Sequence, residues 1–229
     1  MANRTRNQSV AGDARQRLVL AATADVVALD RLAQAFAGGD IAAVILAPGA
    51  ADEAAYENFC SASVPVVQRH AAAAIVCDDK RIMGRSRADG IFHTSTNKDA
   101  GAQASDKQNR PIVGIGGISS RDEAMVAGER NPDFVLFGRL DGDIRPRAHP
   151  KNLELAAWWA DLIEIPCVVM AGSDVDSVGE CAACGADFVA VSAAVWQSAD
   201  GPAEAVRRAN AFLAARSADG QDTEASDAG

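Results

Sequence analysis

The sequence lacks the features that would place the protein in a membrane or outside the cell. No apolar run approaches the length of a membrane-spanning helix. The opening stretch, MANRTRNQSVAGDARQR, has no apolar core of the kind found in secretory signals. Positive charge is also in deficit: 22 basic against 31 acidic side chains give a net charge of −9. This balance argues against general binding to nucleic acids or anionic membranes. We therefore expect a cytoplasmic protein with neither as a partner.

Cysteine is scarce as well. Cys60, Cys77, Cys167, Cys181 and Cys184 form an odd, widely spaced set, which indicates free thiols in a reducing compartment. Cys181 and Cys184 make a C-x-x-C pair late in a predicted helix. No second pair of ligands accompanies them, which argues against zinc or redox chemistry.

The composition is that of a globular domain with polar ends. Hydrophobic residues make up 48% of the chain and charged residues 23%, enough to bury a sizeable core. Residues 1–16 are polar, and residues 217–229 are small, acidic and without periodicity, so we predict a disordered tail at each end. Residues 17–216 remain as one domain, of a size common for a single barrel.

Short apolar runs alternate with helical patterns along this domain. The runs are continuous, as is typical of parallel strands covered on both faces, and the strict strand–helix alternation predicts a parallel sheet. Eight such units favour an α/β fold, a (β/α)8 TIM barrel, with a doubly wound open sheet as the alternative. We expect Pro65 to break or restart the second helix, and NKDAGAQASDKQ to be a poor helix. The predicted strands are LVLAAT, IAAVILA, AAAAIVCD, DGIFHT, PIVGI, DFVLFG, PCVVMAG and DFVAVS.

Small polar residues follow the last two predicted strands. In such a barrel the functional residues lie at the carboxyl ends of the strands, and the loops after strands seven and eight often bind phosphate through backbone N–H groups. Gly172 and Ser173 follow strand seven, and Ser192 and Ala193 follow strand eight. These four residues are the candidate phosphate site. The alternative is a serine N-cap with a purely structural role.

Titratable side chains follow strands three and four. Asp78 and Asp79 could bind Mg²⁺ or act as a base, or they could simply be favoured at a helix N-terminus by the helix dipole. His93 ends strand four, where we expect it to point into or over the barrel mouth. A lone histidine can equally be a packed, hydrogen-bonded residue.

Several stretches together resemble the thiamine-phosphate synthase and thiazole tautomerase (TenI) family. ADGIFH is similar to the family's A-D-G-V-H, IPCVVMAGS to I-P-V-V-A-I-G-G-I, and GADFVAVSAAV to G-A-D-G-V-A-V-x-S-A-I. The order of units matches over residues 18–216. The resemblance implies a (β/α)8 barrel that binds the phosphate of a thiazole phosphate at Gly172, Ser173, Ser192 and Ala193.

The family's catalytic motifs are largely replaced. After strand two the family has Q-x-R-x-K, which binds the pyrimidine and the pyrophosphate. Here that place is taken by ILAPGA. Its N-D-R is CDD, which keeps Asp78 as a Mg²⁺ ligand. Its H-L-G-Q-x-D is HTSTNK, which keeps His93 but puts Lys98, or no residue at all, where the second metal carboxylate would stand. Its G-x-S-x-H is GIGGI, with Gly116 for the serine and Ile118 for the histidine.

Positive charge for a leaving pyrophosphate would have to come from the loop after strand six. Synthase chemistry ionises a pyrophosphate ester and needs cations and Mg²⁺ beside it. The loop RLDGDIRPR offers Arg139, Arg145 and Arg147, with Lys151 just beyond it. His93 and Arg139 are therefore the candidate catalytic residues, and Asp78 the candidate metal ligand.

Two functions remain open. The first is that of a divergent synthase that needs Mg²⁺ and joins hydroxymethylpyrimidine pyrophosphate to the thiazole phosphate. The second is that of a repurposed or non-catalytic paralogue that binds a phosphorylated metabolite. Both imply a small phosphorylated partner, and both are compatible with a homo-oligomer. A purely structural barrel would have its mouth filled by side chains.

Overall fold

The computed structural model describes residues 15–96, 110–141 and 144–226. Eight parallel strands form a closed barrel in sequence order, with β1 hydrogen-bonded to both β2 and β8. The predicted (β/α)8 barrel is therefore confirmed, and the open sheet is excluded. The strands are β1 Arg17–Thr23, β2 Ala43–Ala47, β3 Ala73–Cys77, β4 Gly90–His93, β5 Ile112–Ile115, β6 Phe134–Phe137, β7 Cys167–Met170 and β8 Phe188–Val191.

Helices cover the outside of the barrel. They are α1 Leu29–Phe36, α2 Glu53–Arg69, α3 Lys80–Ser86, α4 Arg121–Gly128, α5 Pro150–Leu162, α6 Ser177–Ala183, α7 Ala193–Trp196 and α8 Pro202–Ser226. The poor helix expected between β4 and β5 falls on residues 97–109, outside the described residues, as does Lys98. None of the described helices is both long enough and apolar enough to cross a membrane.

The predicted break at Pro65 is wrong, because α2 continues through it to Arg69. A proline inside a helix removes one backbone hydrogen bond and costs about 3 kcal/mol. Val64, Val66 and Val67 beside it are buried in the core, and burying each such side chain contributes about 1.5–3 kcal/mol. Packing of this face outweighs the local cost.

The strands separate two apolar layers. Alternate side chains of each strand point into the barrel, and the others pack against the helices. The barrel interior contains Ile45, Ile75, Phe92, Leu136 and Met170, among others. Both faces are apolar, which explains the continuous hydrophobic runs in the sequence.

The two predicted tails are described only in part. Residues 1–14 lie outside the described residues. The backbone of α8 runs on to Ser226, past Arg216, where the sequence predicts the acidic tail to begin.

Candidate functional site

A cavity of about 310 Å³ opens at the carboxyl ends of the strands. We call it the mouth cavity, and we number each loop by the strand that it follows. Most of its wall is small or apolar, because the inward positions at these strand ends are glycine, alanine, leucine and phenylalanine. The lining residues are Thr23, Ala47, Gly49, Phe92, Thr94, Leu136, Gly138, Arg139, Leu140 and Asp141. The mouth is therefore not filled by side chains, contrary to what a purely structural barrel would show.

The charged side chains of the mouth cavity are paired with each other. Arg139 Nε donates to Asp141 Oδ1 at 3.0 Å. Hydrogen bonding to this carboxylate raises the pKa of Arg139 above its ordinary value. The Arg139 side chain is 81% exposed, so it lies at the rim of the cavity rather than over its floor. The candidate catalytic arginine thus reaches the cavity, already carrying an acidic partner.

His93 does not point into the mouth, so that expectation is wrong. Phe92 and Thr94, the residues on either side, both line the mouth cavity. Side chains alternate along a strand, and His93 therefore lies on the outer face of the barrel wall, 4% exposed. Its Nδ1 is 3.8 Å from Asp78 Oδ1. The geometry matches the packed alternative given for this histidine.

Asp78 and Asp79 have separate roles. Asp79 is the N-cap of α3, where its Oδ1 accepts from the N–H groups of Arg81 and Ile82. The bond from Ile82 is the main reason that its pKa lies below the usual value. Asp78 adopts a left-handed backbone conformation, with φ 59°. Its carboxylate accepts from the backbone N–H of Thr94 at 3.1 Å and from the Thr94 hydroxyl.

Both carboxylates are engaged by hydrogen bonds within the protein. Both Asp78 oxygens accept hydrogen bonds from Thr94, and Asp79 is used by the α3 backbone. Among the described residues, no group of three His, Cys, Asp or Glu side chains could hold a metal ion. Asp78 is the one carboxylate retained from the family motif.

Glycines in the stretch GIGGI make room for neighbours. A Cβ on Gly116 would lie 2.4 Å from the tip of the Phe92 ring, and one on Gly117 would lie 2.4 Å from the carbonyl oxygen of Thr94. Gly117 also has φ +72°, a conformation that favours glycine. The position of the family's serine is thus glycine because the Phe92 ring occupies that space.

The backbone donors of loop seven are engaged within the protein. The Gly172 N–H donates to Ser177 Oγ at 2.9 Å, the Ser173 N–H to the Arg145 carbonyl at 2.7 Å, and the Asp174 N–H to the Pro146 carbonyl at 3.1 Å. A Cβ on Gly172 would lie 2.3 Å from the Pro146 oxygen. The segment Arg145–Arg147 of loop six therefore lies directly on the predicted phosphate donors, and we call it the loop-six latch.

Loop eight is more open. Ser192 precedes α7 and makes no side-chain cap hydrogen bond, so the purely structural N-cap role considered for it does not apply. A cavity of about 370 Å³ lies beside loops seven and eight, and its lining includes Ser173, Ala194 and Arg208. Its lining also includes Asp174 and Asp200. Arg208 pairs with Asp176 at 2.6 Å.

Sequence reasoning missed another cavity, of about 390 Å³, between loop five and the start of α5. We call it the β5–α5 cavity. Its lining is Gly117, Ile118, Ser119, Gly138, Arg139, His149, Lys151, Asn152 and Met170. The basic residues near the start of α5 were the available signal, but only the barrel geometry places them beside loop five.

Comparison with known proteins identifies the family. The family model for thiamine monophosphate synthase matches residues 18–195. A thiamine-phosphate synthase of Rhodospirillum centenum is 33% identical over 191 residues, which cover 80% of this chain and 88% of the relative. One of Hyphomonas neptunium is 30% identical over 187 residues, covering 80% and 85%.

Solved structures agree on the fold. Thiamine phosphate pyrophosphorylase from Pyrococcus furiosus superposes with a TM-score of 0.70 at 19% identity, covering 89% of this chain and 97% of that one. A GGGPS from Thermoplasma volcanium gives 0.62 at 14% identity, covering 87% and 92%. At identities this low, the superpositions show only that the fold is shared. From the family match and the sequence relatives, the chain belongs to the thiamine monophosphate synthase family.

Proposed function

We propose that this family member binds a phosphorylated thiazole-type metabolite at the carboxyl-terminal mouth and carries little or no synthase activity. The observation that carries the proposal is the lining of the mouth cavity. It is mainly small and apolar, and its charged side chains, Arg139 and Asp141, are bonded to each other. Such a cavity is better suited to bind an uncharged ring than to stabilise the charge that develops when a pyrophosphate ester ionises.

The ring would rest against Phe92 and Leu136. Both side chains belong to the apolar interior of the barrel and line the mouth cavity. A heteroaromatic ring packed against a phenylalanine gains contact area and the favourable geometry of aromatic pairs. The absence of a side chain at Gly116 leaves the Phe92 ring in this position.

The phosphate would lie at loops seven and eight, on Gly172, Ser173, Ser192 and Ala193. Support comes from the Ser192 hydroxyl, which is not used to cap α7. The loop-seven donors would join only when the loop-six latch moves, because its carbonyls accept from Ser173 and Asp174. A phosphate ester therefore competes with the latch for these N–H groups.

The positions of the candidate catalytic groups at the other strand ends explain why we expect weak synthase activity. Ionisation of a pyrophosphate ester needs concentrated positive charge at the leaving group. His93 lies behind the barrel wall, Asp78 accepts from Thr94, and Arg139 pairs with Asp141. A working thiamine-phosphate synthase, with Mg²⁺ on Asp78 when active, is the second candidate, favoured by the names of the sequence relatives.

Isothermal titration calorimetry tests the binding proposal. The ligands are the thiazole phosphate and its dephosphorylated alcohol, and the proteins are wild type, Ser192→Ala and a control, Ser61→Ala, on the exposed side of α2. The phosphate ester should bind more tightly than the alcohol, and Ser192→Ala should lower its affinity several-fold. Equal affinities for ester and alcohol, or equal effects of both variants, contradict the proposal.

The cellular setting stays a prediction. The sequence favours a cytoplasmic protein with small phosphorylated metabolites as partners, and a homo-oligomer is compatible with it. Size-exclusion chromatography with light scattering would measure the oligomeric state directly.

A further inference from the structure

We propose that the amino-terminal end of the barrel is a further binding site, which takes a small uncharged aromatic molecule. The site is a cavity of about 330 Å³ at the starts of the strands, and we call it the amino-end cavity. It goes beyond the proposed function, which concerns only the opposite, carboxyl-terminal end. Its lining includes the first residue of six strands: Arg17, Ala43, Ala73, Ile112, Phe134 and Phe188.

Small residues on one side of the barrel make the space. Ala43 and Ala73 are paired in register on β2 and β3, and both line the cavity. On β4 the inward position before Phe92 is Gly90, where a Cβ would lie 2.4 Å from the Ile112 carbonyl oxygen. Barrel interiors are usually filled by bulky branched side chains. Here three neighbouring strands contribute alanine or glycine at the amino end instead.

The wall of the amino-end cavity is apolar and partly aromatic. Phe134 and Phe188 line it from β6 and β8, and the buried side chains of Val19, Ile75 and Val168 also belong to it. An apolar cavity of about 150 Å³ already holds benzene. A volume of about 330 Å³ therefore suffices for a bicyclic aromatic compound. Removal of the ligand's apolar surface from water and its ring contact with a phenylalanine would both favour binding.

The charged residues of the lining have partners within the protein. Arg17 Nε and Nη2 donate to the two carboxylate oxygens of Asp40 at 2.7 and 2.8 Å. Asp133 accepts from the Arg110 guanidinium at 2.8 and 3.1 Å, and from the Val113 N–H at 2.8 Å. A charged ligand would have to break one of these pairs or be buried without a partner, and both cost free energy. The cavity therefore favours an uncharged ligand.

Two stacked rings separate the amino-end cavity from the mouth cavity. Phe134 lines the first and Phe92 the second, and their ring centroids are 6.0 Å apart at an interplanar angle of 11°. Gly114 lies between these residues in register, and a Cβ there would lie 2.1 Å from the Phe134 ring. The glycine thus lets the two rings meet across β5. A ligand at the amino end therefore does not compete with one at the mouth.

The test is a titration of the full-length protein, ¹³C-labelled at its methyl groups, with 2-naphthol. The methyl signals of Ile75, Ile112 and Val168 should shift. Those of Thr23 and Leu140, which line the mouth cavity, should not. The charged analogue 2-naphthoate has the same ring system, and it should bind at least about tenfold more weakly because its carboxylate would be buried without a partner.

Two variants test the position of the site. Ala73→Leu puts a larger side chain into the cavity and should weaken binding of 2-naphthol by at least about tenfold, because it takes up the space of the ligand. Phe188→Leu keeps the wall apolar and should weaken binding by about threefold to tenfold, the loss expected for one aromatic contact. Ala157→Leu, on the exposed side of α5, is the matched control and should bind like wild type.

Four results would overturn the site: no methyl shifts at millimolar 2-naphthol, shifts centred on Thr23 and Leu140, equal affinities for 2-naphthol and 2-naphthoate, or equal losses in Ala73→Leu and Ala157→Leu. If Ala73→Leu does not fold, Phe188→Leu decides, and binding like that of wild type then contradicts the proposal.

Discussion

The backbone N–H of Ser173 donates to the carbonyl oxygen of Arg145 at 2.7 Å. This bond joins loop seven, where the family resemblance implies phosphate donors, to loop six, which occupies those donors from above. Arg147, two residues on, pairs with Glu180 on α6 at 2.9 Å. The loop-six latch is thus fixed at both of its ends, and its release should control access of a phosphate to loop seven.

Weakening the outer end of the latch should improve phosphate binding. Glu180→Gln removes the carboxylate that pairs with Arg147. The Arg147 side chain is 83% exposed, and such an exposed ion pair is weak. We expect the affinity for the thiazole phosphate to rise by no more than about fivefold, measured by calorimetry. Glu204→Gln, which breaks the Glu204–Arg207 pair on α8, is the control and should have no effect. Equal changes in both variants would show that the latch does not limit binding.

Gly172 should tolerate no side chain. A Cβ there would lie 2.3 Å from the Pro146 oxygen and 2.5 Å from the Arg147 carbonyl carbon. Gly172→Ala must displace the latch, and overpacking of this kind costs about 1–3 kcal/mol. Gly84→Ala is the matched control: no atom lies within 4 Å of a Cβ there, and alanine stabilises a helix by about 0.5–1 kcal/mol relative to glycine. Urea denaturation measures both, and changes of the same sign would contradict the packing described here.

Asp79 should give the stability of the protein a defined dependence on pH. Its folded-state pKa is lowered, chiefly by the Ile82 N–H, so its contribution is complete above the unfolded value of about 3.9 and is lost as the pH falls through the folded value. Asparagine caps helices about as well without titrating. The unfolding free energy of wild type minus that of Asp79→Asn should therefore be constant near neutral pH. It should decrease below about pH 4, because only wild type loses its charged cap there.

Asp79→Ala is the companion variant, and losing the cap should cost about 1 kcal/mol at neutral pH. If the difference in unfolding free energy between wild type and Asp79→Asn stays unchanged in acid, Asp79 is not the titrating cap.

Phe92 should contribute to binding of the ring. Phe92→Leu keeps an apolar residue in the barrel and removes the aromatic contact, which is worth about 0.5–1.5 kcal/mol. Affinity for the thiazole phosphate should fall by about threefold to tenfold. Phe212→Leu is the control, because Phe212 lies on α8 and packs against the apolar layer between the strands and the helices. If the two variants bind equally well, the ring does not rest on Phe92.

The barrel could be predicted from sequence because its signal is local and repeated. Each strand is a continuous apolar run, since the interior and the helices cover both of its faces. Side-chain direction could be predicted less well. His93 was expected in the mouth, but side chains alternate along β4 and it is Phe92 that lines the mouth cavity. Because both faces of the strand are apolar, the sequence does not indicate which face points into the barrel.

The site depended on contacts between distant segments. Sequence placed Gly172 and Ser173 after β7, but it could not show that Arg145 and Pro146 would accept from loop seven. Sequence showed that GIGGI replaces the family's G-x-S-x-H, but it could not show that the glycines at 116 and 117 leave space for the Phe92 ring and the Thr94 carbonyl. Pro65 predicted a break because its local cost is visible in sequence, while the burial of its neighbours is not.

The most direct test of the account measures binding and turnover on one preparation of the protein. Binding of the thiazole phosphate is followed by calorimetry, and synthesis of thiamine phosphate is then assayed with Mg²⁺ and hydroxymethylpyrimidine pyrophosphate. An active family enzyme assayed alongside serves as the positive control. The account predicts binding of the thiazole phosphate with turnover at least a hundredfold below the control, about the loss expected from removing one charge-stabilising group. Turnover equal to that of the control would contradict it.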